Sequence, residues 1–290
     1  MRLYLQAAVS GALTGGLYGM MSLGVSLSWG VLRIINLAHF SFIVLAGYVT
    51  YTLATDLGWD PFLSIAVCMP AFFLVGALMQ WLFQRLRVDE LGSLLVTFGL
   101  FIIFESLMRT TWTADFRRIP AGDNPYGSGA LWIGSIALRT HLLAAFLAAL
   151  TVAAFTTYLL RRTYFGKAVR ALAEDPEVAS AFGVDRRAVA SMLSGLATSY
   201  SALAGVFLAM GRALFPGLAI ELFGVVFAVV MLGGLGSTFG ALAAGIIIGV
   251  VGALASVIGG PPWAPLATFA ILLVTLVVRP QGLFARRARL

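Results

Sequence analysis

The chain has 290 residues, of which 60% are hydrophobic and 11% are charged, and its mean hydropathy is +0.97. Soluble domains usually carry about 25% charged residues, so this composition excludes a soluble globular protein and predicts an integral membrane protein. We interpret the net charge of +7 as loop basicity that sets membrane orientation, and we expect no nucleic-acid partner. Cys68 is the only cysteine, which excludes an intrachain disulfide and a cysteine metal site.

Nine apolar segments approach the length of about 20 residues that a transmembrane helix needs. They predict an all-α, polytopic membrane protein with eight or nine spans. The second and seventh segments are short, and either could be re-entrant or broken, because irregular backbone is tolerated at membrane depth when protein encloses it. The first segment is too long for a signal-peptide core and is expected to be retained. The predicted spans are residues 7–29, 36–54, 62–83, 91–112, 141–160, 189–211, 218–235, 240–258 and 263–278.

Glycine spacing distinguishes the first and eighth segments from the others. Glycines four residues apart lie on one helix face and let two backbones approach closely. We interpret these faces as flanking a moving pathway or a subunit interface, with tight packing inside the chain as the alternative. The glycines in this pattern are Gly11, Gly15 and Gly19, followed by Gly236, Gly240, Gly245 and Gly249.

Polar residues inside apolar segments are costly, so they are functional candidates by default. Asn36 and His39 lie three residues apart at the start of the second segment, and we assign them with Ser41 and Glu221 to a solute path. For Asn36 and His39 the alternatives are bonding between helices, or an N-cap-like asparagine with an interfacial histidine. Glu221 could meet a cationic group or pair with Arg212.

Two further features lie in the fourth segment and the loop after it. Glu105 and Arg109 are one helical turn apart, and we expect them to pair with each other. Residues 113–140 contain several glycines and prolines, which predicts an external connection and no separate domain.

Residues 161–187 form the longest polar stretch of the chain, between the fifth and sixth predicted spans. Asp175 is typical of an N-cap, Pro176 of a first helical position and Glu177 of a first-turn acid. Gly183 is typical of a left-handed C-terminal stop. This pattern predicts a helix of about two turns.

A second short helix is predicted just before it, over residues 167–174, where Arg170 and Glu174 are one turn apart and can pair weakly. Helices this short are marginal in water, so we expect another protein to dock against them. Val178 and Phe182, also one turn apart, supply an apolar knob for that docking.

The distribution of basic residues predicts an outer N-terminus and an inner C-terminus. If residues 161–187 are cytoplasmic, alternate loops place 13 of the 19 basic residues inside. Outside the polar stretch, these inner basic residues are Arg33, Arg85, Arg87, Arg279, Arg286, Arg287 and Arg289.

The sequence offers little support for catalysis. His39 and His141 are the only histidines, and the H-E-x-x-H and G-x-S-x-G motifs are absent. Gly166 and Lys167 lack the upstream glycine and the following Ser or Thr of a phosphate-binding loop. Any nucleotide must therefore be bound by another chain, and we expect no metal or cofactor here.

Four blocks of sequence point to a family. They are INLAHFSFIVLAGY at residues 35–48, FGKAVRALAEDPEVASAFGVD at 165–185, LGGLGSTFGALAAGIIIG at 232–249 and RPQGLF at 279–284. Together they resemble the permease subunits of branched-chain amino-acid type ABC importers, the LivH/LivM family, and are closer to its LivH branch. Phe40 and Ser41 depart from the family, which commonly has a small residue and an acid there.

The resemblance implies one transmembrane permease domain over residues 1–290, in a bacterial inner membrane, with residues 161–187 as a cytoplasmic coupling loop. It implies a second, LivM-like permease, two cytoplasmic ATPases that bind ATP and Mg, and a periplasmic solute-binding protein. The solute would be a branched-chain or other amino acid, or a related amide or organic acid. Glu174, Ala179 and Gly183 match the E, A and G of the family's ATPase-contacting loop. The residues that we assign to ATPase coupling are Arg170, Glu174, Asp175, Glu177, Val178, Ala179, Phe182 and Gly183.

Two other classes of function remain as alternatives. A stand-alone secondary transporter or channel for a small polar solute would need buried ionisable residues for coupling, and the spans contain few of them. A membrane enzyme using His39 would need a partner acid or a set of metal ligands, which the sequence does not supply.

Overall fold

The computed structural model describes residues 1–284, so Arg286, Arg287 and Arg289 of the predicted inner tail lie outside the described residues. Within this range the chain forms eleven α-helices, a short 3-10 helix and one β-hairpin. In chain order these are α1 (Arg2–Leu32), α2 (Ala38–Thr55), the 3-10 helix (Pro61–Leu63), α3 (Ser64–Arg85), α4 (Glu90–Trp112), β1 (Ala130–Ile133), β2 (Ile136–Arg139), α5 (Thr140–Arg162), α6 (Tyr164–Glu174), α7 (Pro176–Ala181), α8 (Arg186–Gly211), α9 (Leu218–Gly233), α10 (Thr238–Gly259) and α11 (Trp263–Val278).

Seven helices of the described chain, α1 to α5, α8 and α10, are long and apolar enough to cross a membrane. Each of the nine predicted spans falls on a helix, which confirms an all-α polytopic membrane protein. Helices α9 and α11 are apolar but have only 16 residues each. At 1.5 Å per residue they reach about 24 Å, less than the roughly 30 Å of a bilayer core. The predicted second span is one continuous helix of 18 residues, and the seventh is the shorter α9.

Helix α8 lies at the centre of the bundle and packs against α1, α2, α3 and α5. Glycines make these close approaches possible, because a side chain at Gly24, Gly76 or Gly205 would collide with the backbone of the facing helix. Helices α3, α4 and α11 instead expose many large apolar side chains. Such faces suit contact with lipid or with another membrane protein.

Helices α1 and α10 form a seam of facing glycines. Gly11 lies against Gly249, Gly15 lies against Gly245, and Gly19 lies against the backbone of α10 at Leu242. A side chain on any of these glycines would press into the partner backbone. These five glycines therefore pack within the chain, as in the alternative interpretation of the pattern.

The other two predicted glycines have different surroundings. Gly236 lies in the link between α9 and α10, where its φ of 76° is left-handed, and its amide donates to the Ser26 side chain at 3.1 Å. Gly240 packs against Gly233 of α9. The prediction that Gly236 and Gly240 share one helix face is wrong, because the helix begins only at Thr238 and Gly236 lies before it.

The loop between α4 and α5 contains a hairpin that the glycine and proline pattern did not predict. Strands β1 and β2 pair in antiparallel register around Gly134, whose φ is 62°. The Gln6 side chain of α1 holds β2 by donating to the Ala137 carbonyl at 2.8 Å and accepting from its amide at 2.9 Å. Tyr126 donates to the Asp60 carboxylate at 2.7 Å, which raises the pKa of the Tyr126 phenol. The loop is therefore fastened to the helix ends.

Candidate functional sites

Helix α6 is fastened to the end of α5. The Thr163 hydroxyl accepts from the Gly166 amide at 3.1 Å, and Gly166 itself lies directly on the last carbonyls of α5. The Arg170 guanidinium donates to the Leu160 carbonyl at 2.6 Å. The expected Arg170–Glu174 pair is wrong, because Arg170 reaches back to the α5 terminus, whose carbonyls lack helical partners.

Helix α7 begins and ends at the residues that the sequence predicted. The Asp175 carboxylate accepts from the amides of Glu177 at 2.9 Å and Val178 at 3.0 Å, and Pro176 occupies the first turn. Gly183 ends the turn with a φ of 85°, a conformation that glycine adopts without a steric penalty. The predicted caps are confirmed.

The predicted coupling residues divide by exposure. Val178 is 51% exposed and Phe182 is 85% exposed, and the carboxylates of Glu174 and Glu177 also face outward. Ala179 is buried, so it packs within the chain and cannot itself contact a partner. Asp175, Gly183 and Arg170 shape or anchor the two helices. The surface available for docking therefore consists of two apolar side chains flanked by two acids.

The polar residues of α2 bond to other helices. His39 is 1% exposed, and its Nε2 lies 3.1 Å from the Met21 carbonyl of α1; since a carbonyl only accepts, Nε2 carries the proton. The Ser41 hydroxyl donates to the Phe101 carbonyl of α4 at 3.4 Å. The interfacial position considered for His39 is therefore wrong, and bonding between helices is what the structure shows.

Asn36 lies outside the helix, in the link between α1 and α2. It gives α2 no side-chain cap, so the N-cap-like interpretation is also wrong. The link is instead held by Thr97 of α4, which donates to the Ile35 carbonyl and accepts from the Leu37 amide, both at 3.1 Å. The side-chain amide oxygen (Oδ1) of Asn36 is buried without a hydrogen-bond partner, which leaves one polar atom at this point uncommitted.

The link between α8 and α9 folds back between the helices. Gly47 of α2 lies against both Leu214 and Gly205, so Leu214 sits beside a residue six positions before the end of α8 at Gly211. Six helical residues correspond to about 9 Å along the axis. Leu214 also exchanges two backbone hydrogen bonds with Arg117 of the loop between α4 and α5, at 2.8 and 2.7 Å. The seventh span is therefore a short helix that follows a re-entrant link.

Glu221 lies in the first turn of α9 and pairs with Arg212 at 3.1 Å, with both side chains substantially exposed. No other ion pair is found among residues 1–284. Of the four predicted path residues, only Glu221 faces open space. The structure does not bring it together with His39 and Ser41, which are enclosed by α1 and α4.

Glu105 holds the beginning of α9. Its side chain is 8% exposed, and one carboxylate oxygen accepts from the Gly217 amide at 2.8 Å while the other is buried without a partner. Arg109 points to the exposed face of α4, so the expected Glu105–Arg109 pair is wrong. A carboxylate at a helix N-terminus is favoured by the helix dipole and by the unpaired amides there. Glu105 is thus a positioning residue that the sequence did not reveal.

Comparison with known proteins identifies the family. Residues 7–278 match the family described as "Branched-chain amino acid transport system / permease component". The chain belongs to this family. Within residues 1–284 this permease has no group of three or more His, Cys, Asp or Glu side chains that could hold a metal ion. The predicted family and the predicted transport role are confirmed.

Curated relatives of the permease match it along nearly its whole length. It is 24% identical to the high-affinity branched-chain amino acid transport system permease protein BraD of Pseudomonas aeruginosa, over 98% of this chain and 96% of the relative. It is 26% identical to LivH of Salmonella typhimurium and 25% identical to LivH of Escherichia coli, in each case over 98% of this chain and 96% of the relative. No solved structure matches the chain.

Proposed function

We propose that this permease is a membrane subunit of an ATP-driven importer and that α7 is the element on which an ATPase acts. The observation that carries the proposal is the exposure of Phe182 and Val178 on a helix capped by Asp175 and Gly183. Apolar side chains presented on a polar segment are typical of a protein contact. ATP and Mg would be bound by the ATPases, since this chain contains no phosphate-binding loop.

The assembly that we propose contains this chain, a second permease similar to LivM, two cytoplasmic ATPases and a periplasmic solute-binding protein. The inner bacterial membrane is the proposed location, with the N-terminus outside and the C-terminus inside. The distribution of basic residues supports this orientation. In it, α6 and α7 face the ATPases, and the Arg212–Glu221 pair faces the side from which solute arrives.

A branched-chain amino acid is the solute class that we propose, because the relatives are permeases of transport systems for such solutes. Phe40 and Ser41 differ from the residues that the family commonly has at these positions, but this difference does not argue against a branched-chain amino acid as the solute. Phe40 packs edge-on against Phe223, and Ser41 is bonded to the Phe101 carbonyl, so neither side chain is available to a solute in this conformation.

The two short helices connect the ATPase contact to the spans. On one side, Arg170 bonds to the last turn of α5. On the other, the Asp185 carboxylate caps α8 by accepting from the amides of Arg187 at 2.8 Å and Ala188 at 3.2 Å. A movement of α7 driven by ATPase closure would therefore displace α5 and α8 together. Such a displacement shifts the balance between inward-open and outward-open states.

Replacing Phe182 by Asp tests the docking role. We expect the variant to reach the membrane in normal amounts, because the side chain makes little contact with its own chain, but to lose ATPase association and solute uptake. Co-purification of the ATPases and uptake by vesicles holding the full assembly are the measurements. Phe182→Leu keeps an apolar side chain and should retain most of both.

Trp132→Asp on the outer hairpin is the matched control, since Trp132 is similarly exposed but lies at the other end of the bundle. It should leave ATPase association unchanged. Wild-type association and uptake in Phe182→Asp would refute the docking role. Uptake along an ion gradient by vesicles that hold this chain alone would favour a secondary transporter instead.

A further inference from the structure

A groove of about 540 Å³ runs along the inner half of α5, between that helix and the start of α10. Its α5 side is one helical stripe, because the lining residues recur at spacings of three and four. Most of the wall is apolar and the groove is open to the outside of the bundle, where Phe239 is 71% exposed. The lining residues are Leu150, Ala153, Ala154, Thr157, Tyr158, Arg161, Arg162, Phe239 and Leu242.

The groove has an apolar end and a basic end. From Leu150 to Arg161 the stripe covers twelve residues, and the eleven steps between them correspond to about 16 Å along the helix axis. Leu150 and Ala154 form the apolar end, nearer the middle of α5. Arg161 and Arg162 form the basic end, where α5 stops and the polar stretch begins.

Neither arginine is neutralised by a carboxylate within residues 1–284, because the ion pair found there joins Arg212 to Glu221. Helix α5 contains no acidic residue. Arg170 lies close by, bonded to the Leu160 carbonyl, and adds to the positive charge. Thr157 and Tyr158 line the groove next to the arginines.

We propose that this groove binds an anionic phospholipid, with an acyl chain between α5 and α10 and the headgroup phosphate on Arg161 and Arg162. An apolar channel that ends in two uncompensated guanidiniums at a membrane surface is complementary to such a lipid in both shape and charge. A transmembrane helix of a partner subunit would leave both arginines unpaired unless it brought acids of its own. The cytoplasmic leaflet is the source in the orientation proposed above.

The bound lipid would lie beside the contact that anchors α6. The Leu160 carbonyl that accepts from Arg170 is in the same turn of α5 as Arg161. A headgroup on Arg161 and Arg162 would therefore hold the start of the coupling helices at the membrane surface. Loss of the lipid would then weaken the coupling between ATPase movement and the spans, in addition to leaving the groove empty.

Native mass spectrometry of the purified assembly, titrated with phosphatidylglycerol or phosphatidylcholine, tests the site. We expect phosphatidylglycerol to be retained in preference to phosphatidylcholine. The double variant R161Q/R162Q should bind it about thirtyfold more weakly, the consequence of removing two basic groups near a membrane surface. R85Q/R87Q is the matched control, because it removes two arginines at the inner end of α3, away from the groove, and should change little.

Ala154→Trp fills the groove without changing charge and should also abolish selective retention, since Ala154 is exposed and the new ring has room to be accommodated. Both titrations use added lipid that reaches both ends of the bundle, so their outcome does not depend on the proposed orientation or on transport. An equal loss of phosphatidylglycerol binding in R85Q/R87Q, or full retention of phosphatidylglycerol by Ala154→Trp, would overturn the proposal by showing that charge alone attracts the lipid. Cross-linking of a cysteine at Tyr158 to the second permease would overturn it by showing that a protein covers the groove.

Discussion

The two links that flank α8 are built in opposite ways. The link before it, with α6 and α7, carries its own caps: Thr163, Asp175 and Asp185 each accept backbone amides at a helix start only two or three residues away. The link after it, residues 212–217, has no side-chain cap at the start of α9. It is held by groups distant in sequence, which are the Glu105 carboxylate and the Arg117 backbone.

This difference separates a movable element from a fixed one. Local caps stay intact when a segment shifts as a unit, so α6 and α7 can move together with the attached ends of α5 and α8 while keeping their shape. The re-entrant link cannot move without breaking its bonds to α4 and to the outer loop. In the proposed importer, the inner link is suited to transmit motion and the outer link to hold the start of α9 in place.

Of the changes that test this difference between the two links, removing the Glu105 carboxylate should lower the stability of the permease most. Glu105→Ala leaves the partly buried Gly217 amide without its acceptor, which costs about 1 kcal/mol or more. We expect a lower unfolding temperature for the whole permease and reduced uptake, measured by thermal unfolding in detergent and by transport in vesicles. Glu105→Gln keeps an acceptor and should lose less.

Arg109→Ala is the control for that experiment, since Arg109 is one turn away on the exposed face of α4 and should be nearly neutral. An unchanged unfolding temperature in Glu105→Ala would mean that the outer link does not depend on this distant bond. The contrast between the two links would then fail.

Removing the Asp175 cap should have a smaller and strictly local effect. Asp175→Ala leaves two amides of α7 uncapped, which costs about 1 kcal/mol of helix stability. We expect faster hydrogen exchange over residues 176–182, while the unfolding temperature of the spans stays unchanged. Glu177→Ala, which removes only the first-turn acid, should give a weaker effect of the same kind. Global destabilisation by Asp175→Ala would show that the inner link is not an independent unit.

Breaking the Arg212–Glu221 pair should have the smallest effect on stability. The side chains are 42% and 56% exposed, and exposed ion pairs contribute about 0 to 1 kcal/mol. Glu221→Gln is therefore expected to shift the unfolding temperature little, and less still at high salt, where exposed charges are screened. A large loss of uptake without a loss of stability would support a contact between Glu221 and the solute. A large loss of stability would show that this pair, with Glu105, fixes the outer link.

The sequence predicted features whose cause is local. Nine runs of apolar residues became helices because a helix is the form in which a single segment satisfies its own backbone in lipid. The boundaries of α7 followed from Asp175, Pro176 and Gly183, because a cap acts on amides a few residues away. The glycine spacing in α1 and α10 indicated close packing, although it did not identify the partner.

Contacts between distant segments decided the rest. His39, Ser41 and Glu105 are polar residues in apolar helices, and their periodicity says nothing about which backbone group each will meet. The tertiary structure joins His39 to Met21, Ser41 to Phe101 and Glu105 to Gly217. Sequence alone determined that this chain is a polytopic helical membrane protein with a capped short helix in its longest polar stretch, because those properties depend on composition and nearest neighbours. Only the tertiary structure decided where the re-entrant link lies and what holds it, because its bonds join residues about 100 positions apart that meet only when the helices have packed.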